Sequence, residues 1–270
     1  MRIAVWNMPP ADLFVSGLRS GQFSDQFEVL RTKIGECERL LRSGEVDIAL
    51  LPTTSILRNS SDFDVFPAVA LSSWRYPFAR LGIDHGLDEP VEQIAYDPQF
   101  DQEKFLASLV LREHYGMEPS FVAFPDADVD ELLEADADAR LLVGPDIPMV
   151  SGGALMLDIG QEWYELAQYP MVWGLIAALR DQISPTLIRA VRDGIRASEE
   201  QRALWMRAHE TSADLHAFYG DDLRLRLDNL AVASLTELRQ YLFFFERRDE
   251  VPEIPFVFLP DEDGDDDAML

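Results

Sequence analysis

The chain has 270 residues, a hydrophobic fraction of 47% and a net charge of −26 at pH 7. This length and apolar content are enough to bury a large core, so a mainly disordered chain is excluded. Nucleic-acid binding is disfavoured, because a surface this acidic repels phosphate backbones.

The first residues, MRIAVWNMPP, lack the length and the cleavage site of a secretory signal. No uninterrupted apolar stretch approaches the roughly 18 to 20 residues that span a bilayer. We therefore expect a cytoplasmic protein that does not enter membranes. The single cysteine, Cys37, excludes an intramolecular disulfide, and its place in an amphipathic pattern predicts a buried residue rather than a nucleophile.

The acidic excess extends along the whole chain. Six acids lie in the last ten residues, and we expect residues 256–270 to form a disordered acidic tail. The rest of the chain still carries a strong negative charge. This charge suggests adaptation to a high-salt cytoplasm, where the Debye length falls to roughly 3 Å at 1 M salt and screens self-repulsion.

Strands and helices alternate in the first part of the chain. The pattern predicts a first strand at 2–6 that ends in an Asn-Met-Pro-Pro turn, then a strand, a helix and a strand. That succession is typical of a parallel crossover unit. These three elements and the two apolar runs that follow are predicted at 27–31, 33–44, 46–52, 65–73 and 78–84.

A second alternating unit follows, then a buried strand and a helical end. The predicted elements of the second unit are strands at 93–97, 120–124 and 139–144, with helices at 101–115 and 128–136. A strand begins near Tyr169, a long helical run covers Ser184 to about His216, and a last helix covers 235–251. Two such units predict an α/β fold of two lobes with ligands bound at strand ends.

Three patches resemble a known family. They are GEVDIALLP (44–52), LLVGPD (141–146) and DIGQEW with YPMVWGLIA (158–177), and their order and spacing are similar to those of the chorismate dehydratases of the futalosine route to menaquinone. The resemblance implies a two-lobed fold of the type II periplasmic-binding-protein kind, with a central cleft and two hinge crossings. Lobe one would comprise 1–83 and 169–255, and lobe two 84–168.

The resemblance also implies a reaction and its site. The family removes water from chorismate to give 3-[(1-carboxyvinyl)oxy]benzoate, with no cofactor and no metal. The small carboxylate substrate would be the only partner of a monomer or homodimer. In the family an asparagine at the end of the first strand lies at the substrate, so the resemblance gives Asn7 a catalytic role. An ordinary turn residue explains Asn7 as well.

Other positions are candidates for holding the substrate. Thr53 and Thr54 replace a family serine, although a turn after Pro52 explains them equally well. Ser72 keeps hydroxyl character, and Arg75 could pair with a carboxylate or simply lie at the surface. The remaining substrate-binding candidates are Gln102 and Asp146.

The chain departs from the family pattern at the helix predicted for 101–115. The family carries a Ser-x-Thr-Ser motif there, and this chain has Phe100, Gln102 and Glu103. A non-catalytic relative that binds another small molecule or acts as a regulatory subunit is therefore an alternative. A weaker alternative is the later menaquinone enzyme of the same fold. The four histidines show no metal-ligand spacing and are interpreted as surface or interface residues.

Overall fold

The computed structural model of the chain describes residues 1–147, 155–209 and 212–257. Strands and helices alternate through most of this part of the chain. Its strands are Arg2–Trp6 (β1), Glu28–Thr32 (β2), Ile48–Pro52 (β3), Phe63–Val65 (β4), Val69–Ser73 (β5), Ala79–Ile83 (β6), Gln93–Tyr96 (β7), Ser120–Ala123 (β8), Ala139–Val143 (β9), Leu155–Asp158 (β10), Met171–Leu179 (β11) and Leu223–Arg226 (β12). Its helices are Pro9–Phe14 (α1), Ile34–Arg42 (α2), Thr53–Arg58 (α3), Asp101–Tyr115 (α4), Val129–Leu133 (α5), Ile159–Ala167 (α6), Pro185–Ala208 (α7), Ala213–Ala217 (α8) and Asn229–Phe245 (α9).

The chain folds as two compact units. The first contains Met1–Ser72 and the segments that begin at Val172 and Leu223, and the second contains Ser73–Met171 and a short segment that ends at Asp222. The boundary predicted at residue 83 differs from this division. Strand β6 pairs with β9 and β10 in the sheet of the second unit, so it does not belong with the preceding strands.

The first unit is built on a seven-stranded sheet in the order β12-β5-β11-β3-β1-β2, with β4 also paired to β11. Strand β1 runs parallel to both β2 and β3, and β11 runs antiparallel to β3. The nine residues of β11 are almost continuously apolar, and all but the last are buried. Such a run is typical of a central strand that is covered on both faces.

Gly17 and Ser198 allow the segment after α1 to pack closely on the long helix α7. Ser184 caps the helix and Pro185 begins it, as predicted. Further along, the Ser198 hydroxyl donates to the Phe14 carbonyl and accepts from the Gly17 N–H. A Cβ at Gly17 would lie 2.1 Å from the Gly194 carbonyl oxygen, so this contact requires glycine.

The second unit is built on a five-stranded sheet in the order β10-β6-β9-β7-β8. Strands β10, β6 and β9 are antiparallel neighbours, and β7 is parallel to β8 and β9. Helices α4 and α6 pack on each other in this unit. Trp163 of α6 is fully buried and belongs to the core of this unit.

Two further predictions concern Cys37 and the C-terminal tail. Cys37 is fully buried, as predicted, and burial raises the pKa of its thiol to about 12. The tail was predicted to start at 256, which is wrong for its first two residues. Phe256 bridges to Val65 of β4, and the Val257 N–H donates to the Val65 carbonyl. Residues 258–270 lie outside the described residues.

Candidate functional site

The turn after β1 presents Asn7 to solvent. Its backbone N–H donates to the Thr32 carbonyl over 2.9 Å, and the residue itself is exposed. Among the described residues, the Asn7 side-chain amide has no hydrogen-bond partner. This amide can therefore donate to and accept from a ligand without breaking a contact of the protein.

Packing beneath this turn fixes where Asn7 lies. The preceding residue, Trp6, is only 2% exposed. A Cβ on Gly174 of β11 would lie 2.5 Å from Cη2 of the Trp6 ring. The missing side chain at 174 is thus what makes room for the indole in the sheet interior.

The threonines that follow β3 are part of the interior. Thr53 and Thr54 are both buried, and the Thr53 hydroxyl donates to the Val172 carbonyl over 2.7 Å. A hydroxyl has one hydrogen to donate, and this one joins the start of α3 to the start of β11. The predicted donation from Thr53 to a ligand carboxylate is not available in this arrangement.

Ser72 differs from Thr53 although both lie at a strand end. Its side chain is fully buried near the end of β5, and its Oγ has no hydrogen-bond partner within the described ranges. A buried hydroxyl without a partner costs roughly 1 to 3 kcal/mol. Ser72 therefore retains a donor that a bound ligand could use.

In the second unit, Asp158 and Gly160 hold the segment that carries Arg75. Asp158 Oδ1 accepts from the backbone N–H groups of Gly160, Gln161 and Tyr76 over 2.9, 3.1 and 2.8 Å. A Cβ on Gly160 would lie 2.7 Å from the Tyr76 nitrogen. Burial raises the pKa of Asp158, while the three N–H groups act in the opposite direction.

Arg75 is paired within its own unit. Its Nε and Nη2 both donate to Asp222 Oδ2, over 2.8 and 2.5 Å. The hydrogen bonds to Asp222 are the main reason that the pKa of Arg75 is raised. In the described part of the chain Nη1 has no such partner, so one edge of the guanidinium can still meet a carboxylate.

The first turn of α4 is polar and buried. Phe100, the residue before the helix, provides no side-chain cap, and Asp97 caps the short turn ahead of it by accepting from the Gln99 N–H. Gln102 and Glu103 are 2% and 3% exposed. The Glu103 carboxylate accepts from its own backbone N–H, one of the N–H groups that a helix start leaves open.

Glu103 has one oxygen that nothing satisfies. Across the described residues, its Oε2 is the only buried carboxylate oxygen without a hydrogen-bond partner. Burial, followed by the charge of Asp101, raises the pKa of Glu103 to about 7. The charge of Glu103 in turn contributes to raising the pKa of the buried Tyr76.

The predicted residues divide between the two units. Asn7, Thr53, Thr54 and Ser72 belong to the first unit, and Arg75, Gln102 and Asp146 to the second. Asp146 is exposed in the turn that follows β9. In the parts of the chain that the structure describes, no group of three His, Cys, Asp or Glu side chains converges as metal ligands would.

A family comparison decides what the chain is related to. The model of a family described as menaquinone biosynthesis matches residues 1–243. The chain belongs to this menaquinone biosynthesis family. The resemblance found from the three sequence patches is therefore confirmed at the level of the family.

Solved structures confirm the fold. Protein AF1704 from Archaeoglobus fulgidus is 16% identical, with a TM-score of 0.68 over 92% of this chain and 98% of that one. The periplasmic aliphatic sulphonate binding protein SsuA from Escherichia coli is 15% identical, with a TM-score of 0.67 over 97% and 92%. A Candida albicans protein with the generic periplasmic-binding-protein fold is also similar, at 15% identity and a TM-score of 0.60 over 97% and 98%. The predicted α/β fold of the two-lobed type II class is confirmed.

Two important residues were not among the predicted site residues. Asp158 sits in the Asp-Ile-Gly patch that carried the resemblance, and its position before a helical pattern is a recognisable capping signal. The sequence marks Glu103 only as a departure from the family motif. An acid among the apolar residues of a predicted helix was the signal that could have singled it out.

Among the described residues, none of the helices combines the length and the apolar character that a membrane span needs.

Proposed function

We propose that the chain is a chorismate dehydratase that forms 3-[(1-carboxyvinyl)oxy]benzoate and water. The observation that carries the proposal is the match of the menaquinone biosynthesis family over residues 1–243. The three sequence patches point to the dehydratases among the enzymes of that pathway. We propose further that the protein acts in the cytoplasm on this small carboxylate alone, as a monomer or homodimer.

The reaction sets clear demands on the protein. A ring proton and a hydroxyl must leave a substrate that carries two carboxylates, so the protein has to hold those charges and assist proton movement. Positive groups are scarce in this chain, which has 23 lysines and arginines against 49 acidic residues and a net charge of −26. We propose that Arg75 binds one carboxylate through Nη1, since Asp222 occupies only its Nε and Nη2.

The polar groups at the strand ends of the first unit support the same proposal. Asn7 offers an exposed amide with no protein partner within the described ranges, and we propose that it hydrogen-bonds the reacting part of the substrate. Ser72 offers a buried hydroxyl that is likewise unpartnered among those residues. Thr53 has a structural role in this scheme, because its hydrogen is committed to Val172.

The test is to incubate the purified protein with chorismate and to follow the dehydrated product by liquid chromatography and mass spectrometry. Because the chain is so acidic, the assay is run without added salt and at about 1 M salt. We expect product in at least one condition and a large loss of kcat in Asn7→Ala. The matched control is Asn229→Ala, which removes an exposed asparagine from the start of α9. Chorismate that binds but is not converted would overturn the proposal in favour of a binding protein.

A further inference from the structure

The first turn of α4 contains a carboxyl group in an unusual position. Buried carboxylates normally find partners, and three others in the second unit do so. Asp97 accepts from Gln99, Asp158 accepts from three backbone N–H groups, and Glu162 accepts from the Tyr115 hydroxyl. Among the described residues, Glu103 alone has a fully buried carboxylate oxygen with no hydrogen-bond partner.

The surroundings of Glu103 favour the neutral form of its carboxyl group. Glu103 is 3% exposed. The charge of Asp101 acts on its carboxyl group, and Tyr76 in turn responds to the charge of Glu103. Neither is a cation, so no positive charge compensates a buried carboxylate. The single lysine in this turn, Lys104, lies over the rings of Tyr96 and Phe121 at 5.0 and 5.5 Å. A protonated Glu103 therefore carries an O–H that it can donate.

Tyr76, which responds to the charge of Glu103, lies in a packed and apolar environment. Tyr76 is fully buried, its N–H is bound by Asp158, and its ring packs edge-on against Phe78 and Phe218. These contacts fix Tyr76, whose pKa is raised by burial and then by the charge of Glu103. A proton on this carboxyl group can be passed to a ligand that reaches it and replaced from solvent between turnovers.

We infer that Glu103 is a further catalytic residue, the acid that protonates the hydroxyl expelled from the substrate. This inference rests on the proposed dehydratase function. The ring C–H bond supplies the electron pair of the new ring double bond, and its proton passes to water. The ring C–O bond breaks, the oxygen takes the proton of Glu103, and water leaves. Glu103 then recovers a proton from solvent, so the net change is the loss of one water.

This role fits the departure from the family motif. A carboxylate at the start of α4 would repel an anionic ligand group, whereas a neutral carboxyl can donate to a hydroxyl. The N-terminus of α4 in this chain is thus suited to the hydroxyl end of the substrate, and a carboxylate would bind elsewhere. Glu103 consequently distinguishes this chain from relatives that carry hydroxyl side chains at the same turn.

The test is the pH dependence of kcat for chorismate in the wild type and in Glu103→Gln. Gln matches the shape and neutrality of the protonated acid but cannot give up a proton. We expect kcat to fall by about 100-fold or more, with KM little changed. The wild type is expected to lose activity as the pH rises through about 7, and this limb of the profile disappears in the variant.

The control is Glu162→Gln, another buried acid of the same unit whose carboxylate has protein partners. It should keep the wild-type profile. A Glu103→Gln variant with wild-type kcat and an unchanged profile would overturn the assignment while leaving the dehydratase proposal intact. A wild-type protein that does not convert chorismate would overturn both.

Discussion

Helices α6 and α4 begin in different ways, although they lie in the same unit and pack on each other. At α6 the Asp158 carboxylate binds the open N–H groups of the helix and the N–H of Tyr76. At α4 no residue before the helix caps it, and Glu103 folds back with one oxygen unsatisfied. At α6 three backbone N–H groups are thus satisfied by one carboxylate oxygen. At α4 the buried Oε2 of Glu103 is left available to a ligand.

The two helix starts therefore have different roles: the start of α6 positions the backbone, and the start of α4 provides a reactive group. The Asp-Ile-Gly patch carried the family resemblance, and the structure shows that its residues hold the backbone of 74–76 in place. The start of α4, where the chain departs from the family pattern, holds the one fully buried carboxylate oxygen of the described residues that has no hydrogen-bond partner.

The largest effect on stability is expected at Gly160. In Gly160→Ala the new Cβ would lie 2.7 Å from the Tyr76 nitrogen and 2.8 Å from the Arg75 carbonyl carbon, and backbone atoms cannot easily move away. We expect the free energy of unfolding to fall by about 3 kcal/mol, measured by urea titration. The control is Gly35→Ala in α2, where the space is open and alanine should be stabilising by about 0.5 to 1 kcal/mol. Equal effects at the two sites would refute the packing argument.

The second effect concerns the stability of Glu103→Gln as a function of pH. The pKa of Glu103 rises from 4.5 to about 7 on folding, so its favourable contribution is complete below about pH 4.5 and is lost as the pH rises through about 7. Between pH 5 and pH 8 the wild type should therefore lose about 2 to 3 kcal/mol that the variant does not lose. Parallel pH curves for the two proteins would show that Glu103 is not held in its neutral form.

The same contrast exists on a smaller scale in the first unit, between Thr53 and Ser72. Thr53→Val removes the hydrogen bond to Val172 and should cost about 1 kcal/mol of stability without changing KM. Ser72→Ala removes an unpartnered buried hydroxyl and should not reduce stability, but it should raise KM about fivefold. Denaturant titrations and steady-state kinetics on both variants check this. The opposite pattern would exchange the roles of the two residues.

Added salt should change stability least per site, because its effect is spread over the whole chain. The hypothesis of a high-salt cytoplasm predicts that the melting temperature rises between dilute buffer and about 1 M salt, because the self-repulsion of the acidic surface is screened. Differential scanning calorimetry measures this directly. A melting temperature that is the same in dilute buffer and in high salt would contradict the hypothesis.

Local patterns predicted most of the elements. The first strand at 2–6 and the helix at 101–115 have the predicted bounds, because alternation and helical periodicity are properties of neighbouring residues. Strand β10 and helix α6 had not been assigned. The long helical run from Ser184 ends at Ala208 and not near His216, and Ser212 caps a separate short helix through the Leu215 N–H.

The site was harder to predict because its decisive contacts join distant parts of the chain. The Thr53 hydroxyl meets a carbonyl 119 residues away, and Arg75 meets an acid 147 residues away. No pattern in the sequence shows that these polar groups are already engaged. The burial of Glu103 likewise depends on the packing around α4, so the sequence revealed the acid but not its environment.

The start of α6 stabilises the fold, whereas the start of α4 takes part in the reaction. The most direct test compares Asp158→Asn with Glu103→Gln at pH 7, measuring the free energy of unfolding and kcat for chorismate on the same preparations. We predict that Asp158→Asn lowers stability and leaves kcat unchanged, whereas Glu103→Gln does not lower stability and lowers kcat by about 100-fold or more. A loss of kcat in Asp158→Asn combined with full activity in Glu103→Gln would contradict the claim.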